Sequence, residues 1–137
     1  MIASTTSLHP NIAILEKFSK LIPRDIGKAG DLIAESFVWH FFNFRLPALE
    51  GDYEGISGLQ NFFAALAALT DDTFEARPIL AIPMGDELVV THVRDRIVLD
   101  GEAIELDAVV VWRIIAGQIA EAWDIPSLYL VRQGDRQ

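Results

Sequence analysis

Leu8, Ile12, Leu15, Phe18 and Ile22 recur at steps of three and four, the repeat of one helix face, and Pro23 closes the run. Ser7 is placed to cap this helix, and residues 1–7, small and polar, read as a loose arm. A second, shorter helix is expected over 25–35, burying Ile26, Leu32 and Ile33, although Gly27 and Gly30 weaken it. Residues 36–42 then form a β-rich run that is apolar on both faces, as in a strand covered on both sides. A loop over 43–55 is punctuated by Pro47, Gly51 and Gly55. Ile56, Leu59, Phe63, Leu66 and Leu69 make the buried stripe of a third helix, opened by a Ser57/Gln60 capping box.

From Phe74 the rhythm changes to period two. Residues 74–84, 87–99, 103–115 and 118–125 read as four strands, separated by the turn pairs Gly85-Asp86 and Asp100-Gly101 and by Gly117. Three helices and one early strand followed by an antiparallel meander make an α+β fold. No repeat or linker divides the chain, so residues 1–137 are expected to form a single domain.

Composition narrows the function classes. A chain of 137 residues buries about two-thirds of its unfolded surface. With 51% hydrophobic residues and a mean hydropathy of +0.28, it has the material for a core. Its net charge of −9 repels phosphate backbones and anionic lipid, which argues against nucleic-acid and membrane-surface partners. The acidic excess is concentrated in residues 69–137, where 13 acidic residues face 6 basic ones. Without cysteine there is no disulfide, thiolate nucleophile or Cys-based zinc site. The longest uncharged run, Gly55–Thr70, is too short and too polar to span a bilayer. No Lys or Arg precedes Lys17, so the basic start of a secretory signal is missing and a cytoplasmic location is expected. Phosphate loops, dinucleotide fingerprints, serine elbows and His-Glu-x-x-His are absent, and His9, His40 and His92 lack metal-ligand spacing. Neither a cofactor nor a metal is therefore expected.

Several segments taken together resemble a known family. They are Trp39-His40, the stretch from Pro47 to Gly55 (Pro-Ala-Leu-Glu-Gly-Asp-Tyr-Glu-Gly), Phe62-Phe63, Gly85 to Val90, and Trp112-Arg113-Ile114 followed by Gly117 to Asp124. In this order they resemble SnoaL-like proteins, of the superfamily of nuclear transport factor two and ketosteroid isomerase. The ending Gly-x-Ile-x-Glu-x-Trp-Asp is the most specific piece. The resemblance implies a strongly curved antiparallel sheet wrapped around the helices, a cone-shaped, cystatin-like α+β barrel with an interior pocket, usually dimeric. It leaves activity open, because the superfamily holds isomerases, polyketide cyclases, dehydratases, epoxide hydrolases and non-catalytic binding modules.

Within that frame Asp124 is the leading catalytic candidate. It shares a strand face with Ala120 and Ala122, which leave room beside a carboxylate, and apolar walls would raise its pKa toward neutrality. The competing role is a strand-end Asp that caps backbone N–H groups or pairs with an arginine. His40, between Trp39 and Phe41, is the second candidate, as donor to a substrate oxygen or as a satisfied core histidine. His92 shares a face with Leu88, Val90, Arg94 and Arg96, opposite Val89, Val93, Ile97 and Leu99, and belongs to the pocket wall or the dimer face. Asp107 is expected to pair with Arg113 on the same strand face, with a second pocket carboxylate as the alternative role. Tyr53 is expected over the pocket mouth, as hydrogen-bond donor or lid, and Trp39, Phe42, Trp112 and Trp123 as lining.

Two readings follow. In the first, Asp124 moves a proton on a hydrophobic, carbonyl-bearing small molecule, in an isomerase, cyclase or lyase, while His40 or Tyr53 holds the oxyanion. In the second, the same cone is a non-catalytic ligand-binding or protein-interaction module. Val110 favours the second, since relatives often carry a polar residue there. Strands apolar on both sides predict a homodimer through the outer sheet face.

Overall fold

The structure, a computed structural model, describes residues 9–133. Helix α1 spans Pro10–Ser19 and buries Ile12, Leu15 and Phe18, as their spacing requires. Its cap is His9, whose ring Nδ1 accepts from the Asn11 N–H at 3.1 Å, and Pro10 occupies the first turn, where no N–H is needed. The Ser7 cap and the arm over residues 1–7 lie outside the described residues.

The helix expected over 25–35 does not form, so the described residues hold two α-helices and not three. A single 3-10 turn covers Ile26–Lys28, and by Ile33 the chain is already extended in strand β1, Ile33–Phe41. Gly27 and Gly30 each remove roughly 1 kcal/mol of helical preference. The apolar residues find burial without a helix: Ile26, Ala29 and Ile33 are all in the core. The expected loop 43–55 also carries structure, a 3-10 turn at Pro47–Leu49 and a short strand β2, Gly51–Glu54.

Helix α2, Gly55–Thr70, buries Leu59, Phe62, Phe63 and Leu66, while Leu69, expected inside, is 42% exposed. It begins two residues before Ser57, with Glu54 at the cap, so the Ser57/Gln60 capping box is not used. Gly58 lets this helix settle on β2, because a Cβ there would lie 3.0 Å from the Tyr53 carbonyl carbon. Gly58→Ala is expected to destabilise the fold by about 1–3 kcal/mol despite alanine's better helix propensity, read as a lower urea midpoint.

The four strands of the period-two pattern form a meander: β3 Glu75–Met84, β4 Leu88–Leu99, β5 Glu102–Ile115 and β6 Gln118–Gln133 pair antiparallel in sequence, and β6 runs eight residues beyond the end expected at Ile125. Asp100-Gly101 and Ala116-Gly117 turn with both residues at positive φ, the twist that suits two-residue hairpins. The sheet is mixed and not wholly antiparallel. Its order is β2-β1-β6-β5-β4-β3, with β1 parallel to β6. That pairing sets the first long strand against the last and closes the inner face over the helices. The core lies there, with Trp39, Phe41, Val89, Ile97, Leu106, Val110 and Trp112 facing α1 and α2.

Candidate functional site

A cavity of about 90 Å³ opens between α2 and the inner face of the sheet. Phe62, Phe63 and Leu66 roof it, and Trp39 and Phe41 of β1 and Val110 and Trp112 of β5 form its walls. Its charged lining residues are two carboxylic acids, Asp95 of β4 and Asp124 of β6, and Asn43 also reaches it. No Lys, Arg or His is among the described lining residues. A second hollow of about 350 Å³ shares Ile22, Phe74, Ala76, Val93 and Trp112 with the first and extends to Ser19, Arg24 and Glu75.

Strand alternation places both acids. Asp124 follows Ala122 on the inward side of β6, as its small neighbours suggested, and stands across from Phe41 and Val110. Asp95 lies on the inward side of β4 with Val89, Val93 and Ile97. Sequence reasoning passed over Asp95, yet a signal was there: it is the acidic residue at a position whose alternate neighbours are apolar. Burial pushes the Asp124 carboxyl well above its ordinary range, and the charge of Asp95 adds to the effect. Burial likewise raises Asp95 to about 7, assisted by Asp107. Two interacting carboxyls titrate as a pair, so near neutrality this pair can both take up and release a proton.

Two buried polar atoms here have no hydrogen-bond partner among the described residues, Trp39 Nε1 and Asp124 Oδ1. The neighbouring indole is satisfied: Trp112 Nε1 donates to Thr91 Oγ1 at 3.0 Å, and Thr91 donates to the Val110 carbonyl at 3.2 Å.

The other candidates are dispersed. His40 faces the outer side of the sheet, where Nδ1 meets Asp52 Oδ1 and Nε2 meets Glu121 Oε2, each at 2.7 Å. Burial alone would lower its pKa, but the hydrogen bonds to Glu121 and Asp52 outweigh it and raise the pKa. With both ring nitrogens against carboxylates, the imidazolium is the form that satisfies all four groups. Its ring stacks on Trp123 at 5.4 Å, so Trp123 is also outside the cavity, with the Arg113 guanidinium 5.7 Å from its ring centre. Phe42 is 63% exposed beside them.

His92 bonds Asp107 at 2.9 Å on the same outer face. Asp107 does not take Arg113 as its partner: Arg94 Nε donates to it at 2.9 Å, and that bond holds the Asp107 carboxyl below its ordinary range. Arg113 instead reaches Glu87 at 3.0 Å and Glu121 at 3.7 Å. The register explains the exchange, since Arg94 stands directly across from Asp107. Tyr53 spends its hydroxyl on the Leu49 carbonyl at 2.6 Å and packs its ring on Phe62. Thus Asp124, Trp39 and Trp112 come together in the cavity, while His40, Phe42, His92 and Trp123 lie across the sheet and Tyr53 beside β1. No group of three metal-ligating side chains occurs among the described residues.

The sequence profile of the SnoaL-like domain matches residues 18–122, most of the chain. The protein belongs to the SnoaL-like family. No curated protein matches its sequence. Among solved structures, Bal32a from a soil-derived mobile gene cassette is 17% identical, with a TM-score of 0.76 over 87% of this chain and 90% of that one. TerC, co-crystallised with polyporic acid, is 22% identical, with a TM-score of 0.75 over 86% and 92%. A putative SnoaL-like polyketide cyclase from Jannaschia sp. CCS1 is 15% identical, with a TM-score of 0.70 over 87% and 86%. At these identities the SnoaL-like likeness is one of fold. No helix among the described residues is long and apolar enough to cross a membrane.

Proposed function

We propose that this SnoaL-like protein is an acid–base catalyst of the isomerase or cyclase type, acting on a small, hydrophobic, carbonyl-bearing molecule. The observation that carries the reading is the pair of acids, Asp95 and Asp124, in an apolar cavity with no basic side chain among its described lining residues. A non-catalytic apolar pocket gains nothing from such a pair, since buried unpaired carboxyls cost stability that hydrophobic side chains of similar size would not. In catalysis they have a use. The ionised member takes a proton from the carbon beside the carbonyl, and the protonated member returns one at another position, leaving the redox state unchanged. Asp124, with its unpartnered Oδ1, is the group that faces substrate, and Asp95 holds the second proton site. The co-crystallisation of TerC with polyporic acid supports a small organic ligand for this fold.

Tryptophan fluorescence tests the binding half of the reading. Trp39 and Trp112 line the cavity, so saturable quenching by hydrophobic ketones is expected. Quenching that survives unchanged in a Trp39→Phe, Trp112→Phe double variant would place the ligand elsewhere and defeat the reading.

The outer sheet face supports a homodimer. Leu80, Ile82, Val109 and Ile125 are exposed there; Leu80, His92, Val109 and Ile125 line up in register across β3 to β6, with Ile82 opposite Val90 one step along. Light scattering is expected to give twice the 15.2 kDa chain mass at micromolar concentration, and Ile125→Glu to shift the population to monomer. A monomeric wild-type mass would refute the dimer.

A further inference from the structure

The two unpartnered atoms of the cavity say more about the ligand than its volume does. Trp39 is 6% exposed, and its indole N–H has no acceptor among the described residues. Native interiors leave few such groups bare, and each asks for an explanation. The fold is able to satisfy a buried indole at this very place. Trp112, whose ring centre is 5.9 Å from that of Trp39, has Thr91 as its acceptor. The bare N–H is therefore particular to Trp39.

Register puts Trp39 close to the acid. On the inner face Trp39 stands beside Ala122, and Phe41 beside Asp124, so Trp39 and Asp124 are diagonal neighbours on paired strands. An indole N–H can only donate, so the group it awaits is an acceptor. That acceptor carries no full negative charge, because an anion would meet Asp95 and Asp124 with no basic residue among the described lining. A carbonyl oxygen meets both conditions, and its neighbouring carbon then falls toward the unpartnered Oδ1 of Asp124. The donors that the sequence suggested for this role are engaged elsewhere, His40 with Asp52 and Glu121 and Tyr53 with the Leu49 carbonyl.

We propose that the indole N–H of Trp39 holds the substrate's carbonyl oxygen beside Asp124, and that the cavity selects uncharged carbonyl compounds over carboxylates. The proposal rests on the proton-transfer reading above and names the substrate class and the oxygen-holding group. As the carbon–hydrogen bond breaks toward the acid pair, its electron pair moves into the enolate and charge gathers on the oxygen. The Trp39 hydrogen bond strengthens at that point, which is where a fixed donor lowers the barrier most. Return of a proton from the pair to carbon or oxygen completes the step with no other reactant.

The test uses three probes of similar size: acetophenone, benzoate and benzyltrimethylammonium. Indole N–H resonances of the 15N-labelled full chain are followed during titration, with the Trp39 signal assigned by Trp39→Phe and, independently, by its contacts to Phe62. Saturating acetophenone is expected to move the Trp39 resonance downfield, benzoate and the ammonium ion to leave it in place, and Trp39→Phe to weaken ketone binding about tenfold. Three results overturn the proposal: a bound ketone that leaves Trp39 unmoved, equal ketone affinity in Trp39→Phe, or benzoate binding where the ketone does not. Absence of ketone binding at millimolar concentration counts against it as well. Hydrogen–deuterium exchange at the acetophenone methyl separates the two readings. A shifted Trp39 signal without Asp124-dependent exchange keeps the oxygen-holding role and ends the proton-transfer one. Asp124-dependent exchange with Trp39 unmoved does the reverse.

Discussion

Asp124→Asn is expected to slow proton exchange on a bound ketone by about 10²–10⁴-fold while leaving the protein folded, the usual contribution of one positioned acid or base. The change keeps the side chain's size and removes its ability to carry a proton. It touches a position whose Oδ1 has no partner among the described residues, so little internal bonding is lost. Asp95→Asn is expected to act in the same direction, because the proposed chemistry needs one protonated and one ionised carboxyl. The wild-type rate should therefore fall on the acid side as Asp95 takes up its proton near pH 7, and fall again at high pH once both carboxyls are ionised. Rates are read by NMR from the loss of the methyl signal in deuterium oxide. An Asp124→Asn rate within threefold of wild type would sink the assignment.

Folding stability should drop as the pH rises from 5.5 to 8, opposite to a protein held by ion-paired carboxylates. Asp95 ionises near its ordinary 3.8 when unfolded and at about 7 when folded. Between those values the native state holds the extra proton, so each step up in pH favours unfolding until the folded carboxyl ionises. Asp95 alone then contributes on the order of 2 kcal/mol between pH 5.5 and 8, about 8 °C in Tm for a chain of this size. Asp124 is shifted the same way. The raised pKa of His40 also adds stability that is present below its unfolded value of 6.5 and lost as pH climbs through the folded one. Asp107 works in the other direction, but its lowered pKa acts below 3.8, outside this window. Calorimetry on Asp95→Asn isolates the cavity's share. The variant should be the more stable protein at pH 8 and lose part of the slope, whereas an unchanged slope would show that Asp95 ionises freely in the fold.

These two experiments pull apart what the cavity does and what it costs. A binding module keeps its affinity and gains stability when the acids are neutralised. An acid–base catalyst gains stability and loses rate, the trade expected where buried charge is retained for function.

Much of this was legible along the chain. The three- and four-residue steps of Ile12, Leu15 and Phe18, the period-two run from Phe74 onward, and Asp124 beside Ala122 on a strand face each report a local periodicity. Local rules also had their limits. The segment 25–35 carried a helix-like apolar spacing, and two glycines together with burial as turn and strand decided otherwise. Asp95 could have been found from the same alternation that located Asp124, for it shares parity with Val89 and Val93.

The sequence by itself determined which residues alternate, where the turns fall, and that Asp124 shares a strand face with the small Ala120 and Ala122. Only the tertiary structure decided which way β1 faces. Its residues are apolar on both sides, so the pattern carried no preference between putting Trp39 or His40 inside. Pairing with β6 set Trp39 beside the small Ala122 and His40 beside Trp123. That sent one tryptophan into the cavity and the other, with the histidine, to the charged outer face. Alternation is a property of neighbours along one strand, whereas its sign relative to the core is a property of strands that meet across the fold.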